Sequence, residues 1–316
     1  MNRTQILLFG TCVFLASCSQ EASVGIERLD RVASPVAQSE IVDSFAPALD
    51  VLARIGGSVS REEAFRSYSV SAAQRVFGPD MERLLPDLSE TESQLGLLRS
   101  NFEQKLPEVR FPARTFGYAT PYNQSVIIAD TVMLIGLNHY LGAGYPGYAS
   151  FDAYRRRLKE PQRIPIDVAE AVIASGRPYE TTAESTVISR MLYEGALLYA
   201  LSELLPDADE AALMGYTEEE LQWARRNEAD AWRKMVEADM LYSTDMSLAD
   251  RLVMPAPATL SVNPEAPGRF GRYLGLQIVK SYMEQNSHDG GIAFLLSPEF
   301  YSSRSTLKNA AFSPRK

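Results

Sequence analysis

The feature that most constrains this chain is its N-terminus. Asn2 and Arg3 give a weakly positive start, and Ile6 to Ala16 is an apolar run of about ten residues. A run that short cannot cross the ~30 Å hydrocarbon layer as a helix, so it reads as the h-region of a secretory signal. It ends in Leu15-Ala16-Ser17-Cys18, small residues before a cysteine, which is the form of a lipobox. In that reading residues 1–17 are a cleaved lipoprotein signal peptide and Cys18 carries a covalent lipid, palmitate among its acyl chains. The plainer alternative is an ordinary signal peptide with a chance cysteine. Two or three acyl chains, at ~0.8 kcal/mol per buried CH₂, hold a protein at a membrane.

The cysteine count follows. Cys12 lies inside the h-region and leaves with it, and Cys18 is acylated, so the mature chain has neither a free thiol nor a disulfide. Residues 18–37, small and polar with Pro35, read as a lipidated tether. The remainder, 38–316, is long enough for one globular domain with a sizeable core. The net charge of −9 argues against nucleic acid as a partner. Arg155-Arg156-Arg157 is a single short run that reads as a solvated helix face.

Helix signals dominate. Ser60-x-x-Glu63, Ser89-x-x-Glu92, Thr181-x-x-Glu184 and Thr217-x-x-Glu220 have the capping-box form, in which side chains satisfy the free N–H groups of a first turn. With the apolar periodicity they predict helices over 40–55, 61–76, 90–105, 151–159, 166–174, 183–204, 218–242 and 271–286. Residues 110–117, 125–129 and 131–136 are rich in β-branched and apolar residues and read as strands. The expected class is α+β and predominantly helical, a small β-sheet packed with a long helix pair.

Two carboxylates fall on apolar stripes. Glu194 stands three after Met191 on helix 183–204, and Glu228 stands seven after Leu221 on helix 218–242. A buried carboxylate is costly unless it is paired or hydrogen-bonded. One reading is a buried acid pair or a pair of metal ligands at a helix seam, the core of a hydrolase. The other is that each reaches an arginine, a tyrosine or a backbone amide and fastens the core, with Arg190, Arg225 and Arg272 at hand. Catalytic zinc takes three protein ligands, and the two histidines, His139 and His288, sit in no metal motif. No Gly-x-Ser-x-Gly elbow is present either. The catalytic and metal sets are therefore left empty and no cofactor is expected beyond the lipid. The tyrosines of 140–154, if exposed, suggest a third possibility, a platform for cell-wall material.

Taken in order, Tyr140-Leu141-Gly142 with Tyr145-Pro146, Met191-Leu192-Tyr193-Glu194-Gly195, Leu204-Leu205-Pro206, Gly215-Tyr216-Thr217, Asn227-Glu228, Leu241-Tyr242-Ser243-Thr244, Pro267-Gly268-Arg269-Phe270-Gly271 and Leu274-Gly275 resemble the GldB family of gliding-motility lipoproteins. The resemblance spans roughly residues 26–300. It implies a non-enzymatic envelope lipoprotein that supports the gliding machinery and type IX protein secretion, with other envelope proteins of that machinery as partners. By analogy with lipoprotein sorting, Ser19 after the cysteine points to the outer membrane. The strands followed by a helix pair with Asn227-Glu228-Ala229 are also similar to gluzincin metallopeptidases, here without the two histidines of His-Glu-x-x-His. That second likeness implies a degenerate zincin-like architecture.

Overall fold

The computed structural model describes residues 23–286 and 291–315. The signal segment, Cys18 and His288 lie outside them.

Four strands form one sheet in the order β1-β2-β4-β3: β1 (Ile26–Arg28), β2 (Arg114–Tyr118), β3 (Val126–Ala129) and β4 (Val132–Gly136). β1 and β4 run parallel to β2, and β3 pairs antiparallel with β4 through the tight turn at Asp130, which takes a left-handed φ of 52°. Every residue of β4 is buried, which explains its unbroken apolar run; a strand covered on both faces has no polar alternation.

Before β2 come α1 (Ser39–Ser44), α2 (Ala46–Gly56), α3 (Arg61–Ser69), α4 (Ala72–Leu84) and α5 (Ser89–Lys105). After β4 come α6 (Ala153–Arg156), α7 (Ile164–Gly176), α8 (Val187–Leu204), α9 (Glu210–Met214), α10 (Glu218–Arg226), α11 (Glu228–Glu237) and α12 (Met246–Val253). The chain closes with α13 (Phe270–Gln285), α14 (Gly291–Leu295), α15 (Pro298–Tyr301) and α16 (Thr306–Ala310). Helix accounts for 57% of the described residues, so the fold is α+β and predominantly helical, as the sequence predicts.

Three expectations change. The segment 18–37 does not remain a tether throughout. Val24, Ile26 and Leu29 are buried, and β1 joins the sheet edge. Its three residues are too few to read as a strand; a neighbouring strand and a helix hold them. Glu92 is part of that anchorage: its Oε1 accepts from the Ile26 amide at 2.7 Å, so it caps no helix. The second change concerns 218–242, which breaks at Asn227 into α10 and α11. The third follows from it. The long helix pair of the core is α8 with α13, not α8 with the 218–242 segment. At their crossing a Cβ on Gly195 would stand 2.1 Å from the Gly275 carbonyl carbon, and one on Gly275 2.0 Å from the Met191 oxygen. The two backbones touch because neither residue has a side chain.

Of the capping boxes, Thr217/Glu220 forms fully, with the Glu220 amide donating to Thr217 Oγ1 and the Thr217 amide to Glu220 Oε2. Ser60 caps α3, while Glu63 accepts from the Val59 amide. The start expected at Thr181 moves to Thr186, whose partner is Ser189. Among the described residues no helix is long and apolar enough to cross a membrane.

Candidate functional site

Glu194 lies on α8 immediately before the crossing glycine, Gly195, and is buried. Arg190, one turn earlier, places Nη2 2.9 Å from its Oε1, and Arg272 on α13 places Nε 3.0 Å from its Oε2. Arg272 also reaches Glu170 on α7 at 3.1 Å. Its Nε and Nη2 are close enough for ion pairs but not aligned for hydrogen bonds, so the attraction is Coulombic. Burial alone would raise the Glu170 carboxyl, but the nearby Arg272, Arg269 and Arg163 guanidinia hold it below its ordinary value. For Arg272, burial opposes the charge, yet Glu170 and Glu194 carry its pKa upward. The four side chains thus form a chain of alternating sign, Arg190–Glu194–Arg272–Glu170, joining three helices.

Glu228 is in a different place. It opens α11 after the break at Asn227 and is 1% exposed. The Tyr273 hydroxyl donates to its Oε2 at 2.6 Å and the Arg315 amide to its Oε1 at 2.8 Å. Its position in the first turn of α11 is itself favourable for a negative charge. Burial, then the Glu228 carboxylate, drive the Tyr273 phenol well above its ordinary pKa. Arg272 and Tyr273 are consecutive on α13, so they project about 100° apart on the helix. The two carboxylates share no hydrogen-bonding partner. They are two fastenings on different sides of one helix, and the seam between α8 and the 218–242 segment that would have joined them does not exist.

Glu194, but not Glu228, lines a cavity of about 440 Å³ together with Tyr179, Arg190, Tyr193, Pro255, Arg269 and Arg272. Glu170, Pro255 and Arg269 also line a larger cavity of about 920 Å³. Its walls come from α4, the 120–126 loop, the 138–159 segment, α7 and the turn before α13. Phe77, Tyr148, Phe151 and Leu158 make much of it apolar, while Arg155, Lys159, Arg163 and Arg269 bring positive charge to its wall and Asp167 and Glu170 negative charge. Sequence reasoning placed no residue here. Its walls come from segments far apart in the chain, so no local spacing could mark it; the left-handed Arg269 and the Pro267-Gly268 before it were the nearest signal.

His139 is on the wall of this larger cavity, its Nδ1 2.8 Å from Ser125 Oγ. Burial, then the charge of Lys159, push its pKa down to about 4, so it is neutral at pH 7. Among the described residues no three His, Cys, Asp or Glu side chains are grouped to hold a metal ion.

The tyrosine platform is overturned. Tyr140 is fully buried and donates to Asp167 at 2.9 Å. Tyr148 is buried, donating to the Asn138 carbonyl and accepting from the Leu141 amide. Tyr145 is half-buried and donates to Asp80. These rings pack under the loop, which brings its glycines and Pro146 to the surface instead. The arginine run is also less solvated than expected: Arg157 donates to the Gly215 carbonyl at 2.9 Å and pairs with Glu220 at 2.7 Å.

A family model described as gliding motility protein GldB matches residues 17–314. No curated protein and no solved structure matches the chain.

Proposed function

The chain belongs to the GldB gliding motility family, and we propose from that premise that it is a non-enzymatic lipoprotein of the cell envelope, supporting the gliding machinery and its associated type IX protein secretion. In this reading Cys18 is lipidated after removal of residues 1–17, the lipid holds the domain at the outer membrane, and other envelope proteins of the machinery are its partners. The supporting observation is how Glu194 and Glu228 are used. Each is engaged by cations or by N–H and O–H donors of the fold itself, which leaves its oxygens occupied rather than open to a substrate. The hydrolase reading required the two to converge in one cleft, and they do not. The gluzincin likeness rested on α8 pairing with the helix that carries Asn227-Glu228, and α8 pairs with α13 instead.

The test is genetic. Deleting the gene should abolish surface spreading and lower export of secreted substrates. Normal spreading and export in a strain that has the machinery overturns the role. The anchor is tested separately by Cys18→Ser, which should move the protein from the membrane fraction to the soluble fraction. Unchanged membrane association after that substitution rejects lipid attachment without touching the motility role.

A further inference from the structure

Arg269 is held in an unfavourable state. Its backbone is left-handed, with φ 63° and ψ 24°, a region that a residue with a Cβ enters at a cost. Both neighbours are clamped: the Thr259 hydroxyl donates to the Pro267 carbonyl at 2.7 Å and accepts from the Phe270 amide at 3.1 Å. On the other side Gly268 passes against the backbone of Ala256, so closely that a Cβ there would meet the Ala256 carbonyl oxygen. The chain therefore has no freedom to move Arg269 elsewhere.

Its guanidinium is placed just as adversely. Arg269 is the N-cap residue of α13, and its side chain makes no capping hydrogen bond. Burial, then the neighbouring Arg272, lower its pKa to about 10. Among the described residues it has no side-chain hydrogen bond and no carboxylate within 4 Å; Glu170 and Glu194 pair with Arg272, and Asp167 with Arg163. Lys159, on the wall of the same cavity, has no carboxylate within 4 Å among the described residues either, and burial lowers its pKa too. A strained backbone and two cations with no carboxylate within 4 Å meet at one cavity, whose wall also carries Asp167 and Glu170.

We propose that the 920 Å³ cavity is a binding site for a small amphipathic anion, whose carboxylate or phosphate head pairs with Arg269 and Lys159 while its apolar body lies against Phe77, Phe151 and Leu158. A volume of this size suits a ligand of drug-like dimensions. An anion would give Arg269 a direct ion pair, which no carboxylate makes within 4 Å, beyond the more distant attraction of Glu170 and Asp167. A planar guanidinium pairs with a carboxylate or a phosphate through two parallel hydrogen bonds. The inference stands independently of the motility role.

The experiment uses the purified full-length chain in detergent, with phenyl phosphate, 3-phenylpropionate, inorganic phosphate and the neutral 3-phenylpropanol as probes. Calorimetry and thermal melting should detect at least one aromatic anion, bound at least tenfold more tightly than the neutral alcohol. A stronger response to phenyl phosphate assigns a phosphate head and a stronger response to 3-phenylpropionate a carboxylate head; either supports the site. Arg269→Gly should weaken binding at least tenfold. Its melting temperature without ligand should equal or exceed that of the parent, because glycine takes the left-handed backbone freely. Arg269→Lys, which keeps the charge, should bind more tightly than Arg269→Gly. The proposal is overturned if no anion outbinds the alcohol, or if Arg269→Gly binds as the parent does. It is equally overturned if Arg269→Gly melts lower without ligand or both variants fail to fold, since Arg269 is then part of the scaffold.

Discussion

The two ends of the buried stretch of α13 solve opposite problems. At Gly275 the helix meets α8 with no side chain between them, and the backbones are in contact. One to two turns earlier, Arg272 meets α7 and α8 through the carboxylates of Glu170 and Glu194, and cavities open beside it and beside Arg269. The helices and their neighbours are the same; the side chains differ. Absent side chains let dispersion and close packing fix the crossing. Long charged ones hold the elements apart and leave room that the fold does not need. The comparison teaches where to look for function in a core this apolar: at the end where packing has been given up.

The sharpest way to break the comparison is at its closed end. Gly275→Ala puts a methyl group 2.0 Å from the Met191 carbonyl oxygen, which belongs to a helix backbone and cannot turn aside. Overpacking of this severity should lower stability by about 4 kcal/mol, and the melting temperature by roughly 10 °C. A denaturant titration showing a change under 1 kcal/mol would mean that the crossing is loose. At the charged end the larger effect comes from Glu194→Ala. It strips Arg272 of one of its two carboxylates and leaves Arg190 without its partner, at an expected cost of about 3 kcal/mol. Replacing the pair together, Glu194→Leu with Arg272→Met, should recover much of that loss, since a buried ion pair exchanged for apolar residues of similar size is often neutral. If the double variant is no better than the single one, the charges do more than fasten α8 to α13.

How far the sequence alone reaches differs between the same two ends. β2, β3 and β4 are readable from their β-branched and apolar runs, and α7, α8 and α13 from apolar residues recurring at helical spacing. The apolar stripe marks Glu194 as a carboxylate in need of a partner, and of the three arginines at hand, Arg190 and Arg272 reach it while Arg225 lies by Glu210. β1 is not readable, since three residues carry no period and Glu92 holds them from another element. Nor is the break at Asn227, where the side chain turns back to the Trp223 carbonyl at 2.8 Å and ends α10. That break separates Glu228 from the seam where periodicity alone would put it. The tyrosines mislead for a related reason: Tyr140 and Tyr148 satisfy their hydroxyls inside the core, which composition does not reveal.

The wall of the open end makes a smaller, pH-dependent contribution. His139 has a folded pKa of about 4 against an ordinary 6.5, so between these values the unfolded chain binds a proton that the folded one does not. Stability is then complete above pH 6.5 and falls as the pH drops toward 4. The loss has an upper bound of about 3 kcal/mol, and about 2 kcal/mol is expected once solvent screening at its half-buried ring is allowed for. Between pH 6.5 and 4.5 the lowered carboxyl of Glu170 is still charged in the folded state, so it adds little to the slope. Denaturation at a series of pH values checks this: His139→Gln should flatten the slope in that window, and a slope that persists assigns it to another group.

The smallest effect tests the far side of α13, which belongs to neither end. Tyr273→Phe removes the hydroxyl that donates to Glu228 and leaves the carboxylate with the Arg315 amide and the first turn of α11. A buried acceptor that loses one of two donors loses part of its compensation for desolvation, about 1 kcal/mol when the other donor and a helix terminus remain. The volume barely changes, so packing adds little. The same variant separates the two readings of Glu228. As a fastening, it should tolerate the loss with that modest drop in denaturant midpoint and with spreading of the cells unchanged. Had Glu228 been a working acid, losing the phenol that is hydrogen-bonded to it would alter function while stability hardly moved. A drop in motility without a drop in stability is therefore the result that would return Glu228 to the list of functional residues.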